Sequence, residues 1–228
     1  MFRDRRHAGL SLAEELARLG LPDPVVLALP RGGVTVAAEV ATKLKAPMDL
    51  VIVRKVGAPD NPELAVAAIV DGNPPDVVLN REIVEAYGLD DDELAELVRK
   101  ERPELERRRK AYRGKRKLMS VTGKTAIIVD DGAATGTTIK VAIRALKRRQ
   151  PREIVVAIPV APPDTVASLR LEGVRVLCLT EPADFRALGY HYRDFKQVTD
   201  AEVTDTLGAI ARLRKTGWST PQSDGGEA

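Results

Sequence analysis

The stretch IIVDDGAATGTT, residues 127–138, joins an apolar run, two adjacent acids and a series of small residues. The apolar run predicts a buried strand, and the amphipathic sequence TGTTIKVAIRALKRR predicts a helix directly after the small residues. Small residues allow backbone amides to approach a ligand closely, and the free amides at a helix N-terminus favour a phosphate. The stretch therefore predicts a strand–loop–helix unit that holds an anion, although two carboxylates stand directly before the loop.

Apolar and amphipathic segments alternate along the rest of the chain in the same way. The predicted strands are PVVLALP (24–30), MDLVIVRKV (48–56), KTAIIVD (124–130), EIVVAIPVA and VRVLCLT, with LAVAAIV and DVVLN as two short ones. Helices are predicted over residues 34–46, over PDTVASLRLE, and near the N-terminus with Leu12, Leu16 and Leu19 as an inner stripe. Strands that are apolar throughout and alternate with helices indicate an α/β fold with an open parallel sheet flanked by helices.

Residues 81–117 are highly charged and follow a helical pattern, so we interpret them as a helical insert. Pro103 is expected to start a new helix there or to kink the old one. The inner stripe of this insert is expected to contain Leu94, Leu97, Val98 and Leu105. We predict a single domain over residues 1–216, with a small C-terminal hood at 181–199, followed by a flexible tail at 217–228.

Composition limits the classes of function. The chain has 228 residues, with 36 basic and 33 acidic side chains, and this balance does not favour a general nucleic-acid binder. The lone cysteine, Cys178, lies in an apolar run and is interpreted as a small core residue. No apolar stretch is long enough to cross a bilayer, and the N-terminus lacks a signal-peptide pattern. A cytoplasmic protein without a membrane partner is expected.

The two acids are explained if the ligand is a sugar phosphate. Carboxylates accept hydrogen bonds from vicinal hydroxyls, so Asp130 and Asp131 are predicted to bind a ribose. The 5-phosphate would lie on the loop formed by Ala133, Ala134, Thr135, Gly136, Thr137 and Thr138. The same acids are candidates for placing Mg²⁺ indirectly, without a direct protein metal site. The competing interpretation is an ordinary polar turn, but neither a Walker loop nor a G-x-G-x-x-G motif is present.

An apolar strand, two acids and a small-residue loop ending in Thr-Gly-x-Thr resemble the motif with which type I phosphoribosyltransferases bind 5-phosphoribosyl 1-pyrophosphate (PRPP). The resemblance extends from DRRHAG to QVTDAEV, nearly the whole chain, and is closest to a bacterial branch whose acceptor is unassigned. It implies PRPP-dependent transfer of the phosphoribosyl group to a nitrogenous acceptor, usually a nucleobase, with Mg²⁺ and release of pyrophosphate. Many relatives are dimers, so a homodimer is expected.

The resemblance also assigns residues outside the opening stretch. LPRGG (29–33) stands where the family has its pyrophosphate loop, often with a cis peptide, which implies Arg31, Gly32 and Gly33 as pyrophosphate ligands. Arg54 and Lys55 stand where the family has catalytic basic residues, with a mobile catalytic loop after them at about 57–64. EPADFRALGYHYRDF stands at the hood. Phe185, Tyr190 and Tyr192 are candidates there to stack on a base, or else to form the core of a small cap.

This sequence departs from the family pattern at two positions. Ala134 stands where purine-salvage members carry an acid that handles the base proton, which weakens a hypoxanthine or guanine assignment. Gly132 replaces the usual aliphatic residue and is expected to loosen the loop slightly.

Two rival functions stay open. One is a non-enzymatic PRPP or nucleotide sensor that binds nucleic acid through the basic run ERRRKAYRGKRK, residues 106–117. The same run also reads as a solvated helix face or as a border that attracts PRPP. The other rival is a phosphoribosyl ester enzyme with a different leaving group, for which the Arg31–Gly33 loop would have little use.

Overall fold

The structure, a computed structural model, describes residues 1–72, 74–114 and 116–218, and of Glu63 the backbone alone. The helices are α1 (Arg5–Arg18), α2 (Gly33–Leu44), α3 (Arg81–Ala86), α4 (Asp91–Arg113), α5 (Thr137–Lys147), α6 (Pro163–Arg170) and α7 (Asp200–Lys215). The strands are β1 (Pro24–Ala28), β2 (Met48–Leu50), β3 (Val53–Ala58), β4 (Asn61–Val70), β5 (Asp76–Leu79), β6 (Thr125–Val129), β7 (Glu153–Val160) and β8 (Arg175–Thr180).

Five strands form a parallel sheet in the order β2-β1-β6-β7-β8, which confirms the predicted α/β fold. The winding reverses between β1 and β6, because β2 lies on one side of β1 and the later strands lie on the other. Ligands of open parallel sheets bind beyond the carboxyl ends of the strands at such a reversal. The loops after β1 and β6 therefore meet at the expected place for a binding site.

The strands of this sheet divide their side chains between two apolar cores. Along β1, Val26 and Ala28 face a core shared with α1, α2, α4 and α7, whereas Val25 and Leu27 face a core shared with α5 and α6. This alternation follows from the two-residue period of a strand, and helices cover both faces. In α1, Leu12 and Leu16 are buried as predicted, but Leu19 lies beyond the helix and is 40% exposed.

The segment 48–56 is two strands in different sheets, so its prediction as one strand is wrong. β2 continues the parallel sheet, whereas β3 pairs with β4 in a separate antiparallel sheet of order β3-β4-β5. The prediction of a loop over 57–64 is also wrong in part. β3 runs to Ala58 and β4 starts at Asn61, which leaves Pro59 and Asp60 as the turn of a hairpin with irregular pairing near Gly57.

The charged insert consists of α3 and α4, and α4 packs on the β3-β4-β5 sheet. Leu94, Val98 and Leu105 are buried, and Leu97 is partly buried against the same core. Pro103 does not start a new helix, because α4 is continuous from Asp91 to Arg113.

The C-terminal part of the chain completes the packing. Cys178 is partly buried on the edge strand β8, and burial raises the pKa of its thiol. Trp218, the second residue of the predicted tail, packs against the core shared with α1, α2, α4 and α7. Residues 219–228 of that tail lie outside the described part. Within the described residues, no helix has both the length and the apolarity to cross a membrane.

Candidate functional site

The loop between β6 and α5 forms an open cradle of about 120 Å³, lined by Asp130 and by residues 132–139. Gly136 precedes the helix at φ +69°, a conformation that suits glycine. The first amides of α5 have no intrahelical acceptor, and the hydroxyls of Thr135 and Thr137 lie 3.1 Å apart at the exposed mouth. The predicted phosphate loop thus has the donors that an anion needs.

The loop after β1 lies directly against the two acids. The peptide bond between Pro30 and Arg31 is cis, which agrees with what the resemblance implied for this loop. A Cβ atom added at Gly32 would overlap the Asp131 carboxylate, and one at Gly33 would lie 2.9 Å from Asp130 Cα. Glycines are required at both positions because the two loops approach this closely. The residues predicted for pyrophosphate and for ribose are therefore neighbours, although they are about 100 residues apart in sequence.

Arg5 is a residue of this site that sequence reasoning missed. Its Nε donates to Asp131 Oδ2 at 2.6 Å, and both side chains are 11% exposed. Its Nη1 donates to the Lys196 carbonyl, and its guanidinium lies 3.8 Å from the ring centre of Phe195. Arg5 therefore fixes one oxygen of Asp131 and joins the acid to the hood. The DRRHAG sequence carried part of the family resemblance, but nothing in its pattern identified the partner of Arg5.

In the acid pair, Asp130 is the residue whose ionised form is destabilised by its surroundings. Burial, followed by the charge of the neighbouring Asp131, raises the pKa of the Asp130 carboxyl well above its ordinary value. Its Oδ1 accepts a hydrogen bond from the Asp131 amide at 2.9 Å, and this bond opposes the rise. Ionised Asp130 is therefore costly in the free protein. Perturbed carboxyl pKa values of this kind are common at functional sites.

Replacing this carboxyl should stabilise the free protein. Asp130→Asn keeps the Oδ1 acceptor and removes the charge, so we expect its free energy of unfolding at pH 8 to exceed that of wild type by about 0.5–2 kcal/mol. The folded pKa of Asp130 lies above its unfolded value, so wild-type stability falls as the pH rises through the folded pKa. The difference should therefore shrink between pH 8 and pH 5. Urea unfolding across this range measures it, and a less stable variant at pH 8 would contradict the prediction.

The cations predicted for pyrophosphate contact different partners in the structure. Arg31 Nη1 lies 3.5 Å from Asp200, at the start of α7, and Arg54 Nε lies 2.5 Å from Glu101 on α4. Lys55 follows Arg54 in β3 and faces the other way, because side chains alternate along a strand. It lines a cavity of about 290 Å³ together with Thr137 and Thr138. Lys55 thus lies on the phosphate-loop side, and Arg54 lies on the side of the helical insert.

The hood candidates differ in exposure. Tyr192 is 5% exposed and its hydroxyl donates to the Asp131 carbonyl at 2.5 Å, so it forms the core of the cap and is unavailable for stacking on a base. Phe185 stacks on the His191 ring at a centroid distance of 5.0 Å. Tyr190 is 68% exposed and is the candidate with a free face.

Gly132 was expected to loosen the β6–α5 loop, but in the structure it allows the hood to pack closely against this loop. Its φ is +148°, and an added Cβ would overlap the Leu188 side chain and lie 2.8 Å from the Val160 carbonyl. A glycine at this position therefore lets Leu188 of the hood pack directly on the acid loop.

Most arginines of the basic run are neutralised within the fold. Arg107 and Arg108 both bond Glu104, at 2.7 and 2.8 Å, and together they lower the pKa of Glu104 to about 2. Arg109 lies 3.2 Å from Glu106 and 3.8 Å from Asp71. This pairing weakens the nucleic-acid alternative, because the three arginines already have acidic neighbours.

The acid pair alone offers few free oxygen atoms to a magnesium ion. Adjacent carboxylates are suitable oxygen donors, but Asp131 Oδ2 is already bonded to Arg5. Among the described residues, no group of three His, Cys, Asp or Glu side chains could hold a metal. The acid pair by itself therefore does not form a complete metal site, and an ion bound beside it would need further oxygen ligands from a bound molecule or water.

The fold and site define an α/β domain with an anion loop and an acid pair at the switch point of its sheet. Residues 7–193 match the phosphoribosyl transferase domain family, and the chain belongs to that family. A curated protein of Mycobacterium tuberculosis (strain H37Rv), described as a candidate phosphoribosyl transferase, is 44% identical over 93% of this chain and 47% of its own length. The chain thus spans about half the length of the curated relatives it matches.

A solved structure supports the fold over nearly the whole chain. The crystal structure of TT1426 from Thermus thermophilus is 44% identical, with a TM-score of 0.79. The match covers 91% of this chain and 97% of that one.

Proposed function

We propose that this domain transfers the phosphoribosyl group of PRPP to a nitrogenous acceptor, with a nucleobase as the first candidate. The observation that carries the proposal is the contact between the two loops at the switch point, where Gly32 abuts the Asp131 carboxylate beside the phosphate cradle. A ribose placed between these loops has, on one side, carboxylates that accept hydrogen bonds from its hydroxyls. At both ends it has groups that donate hydrogen bonds to phosphate oxygens.

The reaction exchanges one bond at C1′ for another. The bond from C1′ to the pyrophosphate oxygen breaks and its electron pair leaves with pyrophosphate. The lone pair of the acceptor nitrogen forms the new C1′–N bond, and the proton of that nitrogen passes to the departing pyrophosphate or to water. Such a reaction has an oxocarbenium-like transition state, which a protein assists by positioning the reactants and by stabilising the departing charge.

The chain's residues divide this work. Asp130 and Asp131 hold the ribose hydroxyls, and residues 133–138 hold the 5-phosphate. Arg31 and the amides of Gly32 and Gly33 bind the pyrophosphate; Arg54 would join them only after leaving Glu101, 2.5 Å away. Lys55 contributes positive charge next to Thr137 and Thr138. When bound with PRPP, Mg²⁺ would neutralise part of the pyrophosphate charge. A cytoplasmic homodimer is part of the same proposal.

The test is release of pyrophosphate from PRPP and Mg²⁺ with a panel of purine and pyrimidine bases and small amines. We expect release that depends on one acceptor and stops when Mg²⁺ is chelated. The phosphoribosylated acceptor, identified by mass spectrometry, would name the substrate.

Calorimetric titration of PRPP provides the second measurement. Binding of PRPP without release for any acceptor would argue against the transferase and favour the sensor function. Release of pyrophosphate without any acceptor would indicate hydrolysis, and absence of PRPP binding would overturn the assignment of the site.

A further inference from the structure

A second cavity lies at the free edge of the parallel sheet, between β2, the segment after α4 and the last turns of α7. Its volume is about 380 Å³, within the range of about 300–1,000 Å³ that is usual for small-molecule sites. The walls are aliphatic or thioether side chains: Met48, Leu50, Met119, Leu207 and Ile210. The cavity therefore offers an apolar environment to any ligand that enters it.

Four cations surround this apolar wall: Arg116, Lys117, Arg214 and Lys215. All four are exposed, and within the described part of the chain none has an acidic partner at salt-bridge distance. They differ in this from Arg107, Arg108 and Arg109, which are paired with acids. As far as the described residues show, the cavity thus combines an apolar interior with positive charge at its mouth that has no acidic partner, and such charge attracts anions.

The acid in the lining does not balance this charge. Asp49 accepts from Arg113 at 3.2 Å and from the Met119 amide at 2.8 Å, so its carboxylate is already engaged. Arg113, which also lines the cavity, is 6% exposed, and its Nε lacks a hydrogen-bond partner among the described residues. Buried donors of this kind are rare in native proteins and usually indicate an acceptor, such as a water or a ligand oxygen.

The lining also distinguishes between kinds of anion. Its described residues include no aromatic ring to stack on a base, and their polar side chains other than the engaged Asp49 are all cations. Among the described lining residues, a nucleobase would find only guanidinium groups to stack on and only cationic donors to meet its hydrogen-bonding edge. An aliphatic chain that ends in a carboxylate fits both the walls and the mouth.

The cavity is separate from the PRPP site. Asp200, which contacts Arg31 of the pyrophosphate loop, begins α7, and Ile210 of the cavity lies ten residues further along the helix. At 1.5 Å per residue the two positions are about 15 Å apart along the axis. A ligand here would leave the PRPP site accessible.

We propose that this cavity binds a medium-chain aliphatic carboxylate, with its chain on the apolar walls and its carboxylate among the four cations. The proposal does not depend on the transferase reaction, because it concerns different residues at the other end of α7.

The test is calorimetric titration of the full chain with sodium hexanoate, octanoate and decanoate, below their micellar concentrations. We expect saturable binding of one molecule per chain, with affinity rising about three- to fourfold per methylene until the cavity is filled. Decan-1-ol and decyltrimethylammonium should bind at least about tenfold more weakly, because they lack the negative charge. Fluorescence of Trp218, the single tryptophan, three residues beyond Lys215, gives an independent readout.

Two variants test separately the contribution of the apolar walls and that of the cations at the mouth. Arg116→Gln with Lys117→Gln should weaken decanoate binding at least about fivefold without affecting decan-1-ol. Ala211→Phe, on an exposed position that lines the cavity, should weaken both ligands. The matched control is Arg99→Gln with Lys100→Gln, an adjacent exposed basic pair on α4 outside the cavity, which should leave binding unchanged.

Three results would overturn the proposal. Absence of saturable binding would show that the cavity is not a site, and equal binding of decan-1-ol and decanoate would show that the cations do not select the ligand. If Ala211→Phe instead changes the sedimentation coefficient while wild type binds no decanoate, a second copy of the chain covers the cavity.

Discussion

Asp130→Asn combined with Asp131→Asn is expected to weaken PRPP binding by about 100- to 10,000-fold. Each carboxylate is predicted to accept a charge-assisted hydrogen bond from a ribose hydroxyl, and such bonds contribute about 1.5–3 kcal/mol each. The single oxygen of each Asn is expected to stay on its internal partner, the Asp131 amide or Arg5, so the ribose would meet an NH2 group and both bonds would be lost. Their loss gives about 3–6 kcal/mol, where each 1.4 kcal/mol is tenfold in affinity. Calorimetric titration with PRPP and Mg²⁺ measures the loss.

The two substitutions have opposite effects on stability, so the double variant should remain folded. Asp130→Asn removes a carboxyl whose pKa burial has raised, which favours the folded state. Asp131→Asn removes the charge that faces Arg5 at 2.6 Å, which disfavours it. Circular dichroism and thermal unfolding verify the fold before binding is compared.

The chain offers a matched control in Asp91→Asn with Asp92→Asn. These acids are also adjacent, but they are exposed in the first turn of α4 and far from the β6–α5 loop in sequence. We expect their PRPP affinity to equal that of wild type. Unchanged affinity in a folded Asp130/Asp131 variant would show that the ribose lies elsewhere.

Arg113→Met is expected to lower the free energy of unfolding by about 3–5 kcal/mol, because it leaves buried carboxylates without their cation. The Arg113 guanidinium bonds Asp71, Asp49 and the Leu50 carbonyl. Asp71 is 3% and Asp49 8% exposed, so neither carboxylate can be hydrated well after the change. Arg109, 3.8 Å from Asp71, is too distant to replace the lost hydrogen bonds.

The loss of unfolding free energy in Arg113→Met should depend on pH, and the raised pKa of Asp71 sets the direction of that dependence. Burial raises the pKa of Asp71, and Arg113 opposes that rise, so removing Arg113 raises the pKa of Asp71 further. A folded pKa above the unfolded value means that stability falls as the pH rises through the folded pKa. The variant should therefore be closest to wild type near pH 5 and furthest from it near pH 8.

Urea denaturation at both pH values measures this effect. Arg102→Met, an exposed position on the same helix, is the control and should change stability by less than about 0.5 kcal/mol. A pH-independent deficit in Arg113→Met would mean that lost packing, and not the unpaired carboxylates, is responsible.

The sequence by itself determined the parallel sheet and the two loops at its switch point. Buried parallel strands are continuous apolar runs, and the DDGAATGTT turn combines acids, glycines and hydroxyls in one short segment. These are local patterns, so they can be recognised without knowledge of distant contacts. The contact between the 31–33 and 130–138 loops has a related cause, because the carboxyl ends of parallel strands share one edge of the sheet.

Only the tertiary structure decided what each charged side chain contacts. Arg5 and Asp131 are 126 positions apart, and Arg113 and Asp49 are 64 apart, so no local pattern joins them. The opposite directions of Arg54 and Lys55 follow from strand periodicity, but the surfaces that they face became known only once 48–56 divided between two sheets at Val51 and Ile52. Strand periodicity specifies which faces are buried, but the partner of a charge depends on where distant segments pack. For that reason the strand–loop–helix unit around residues 127–138 could be predicted from the sequence, whereas the ion pair between Arg5 and Asp131 could not.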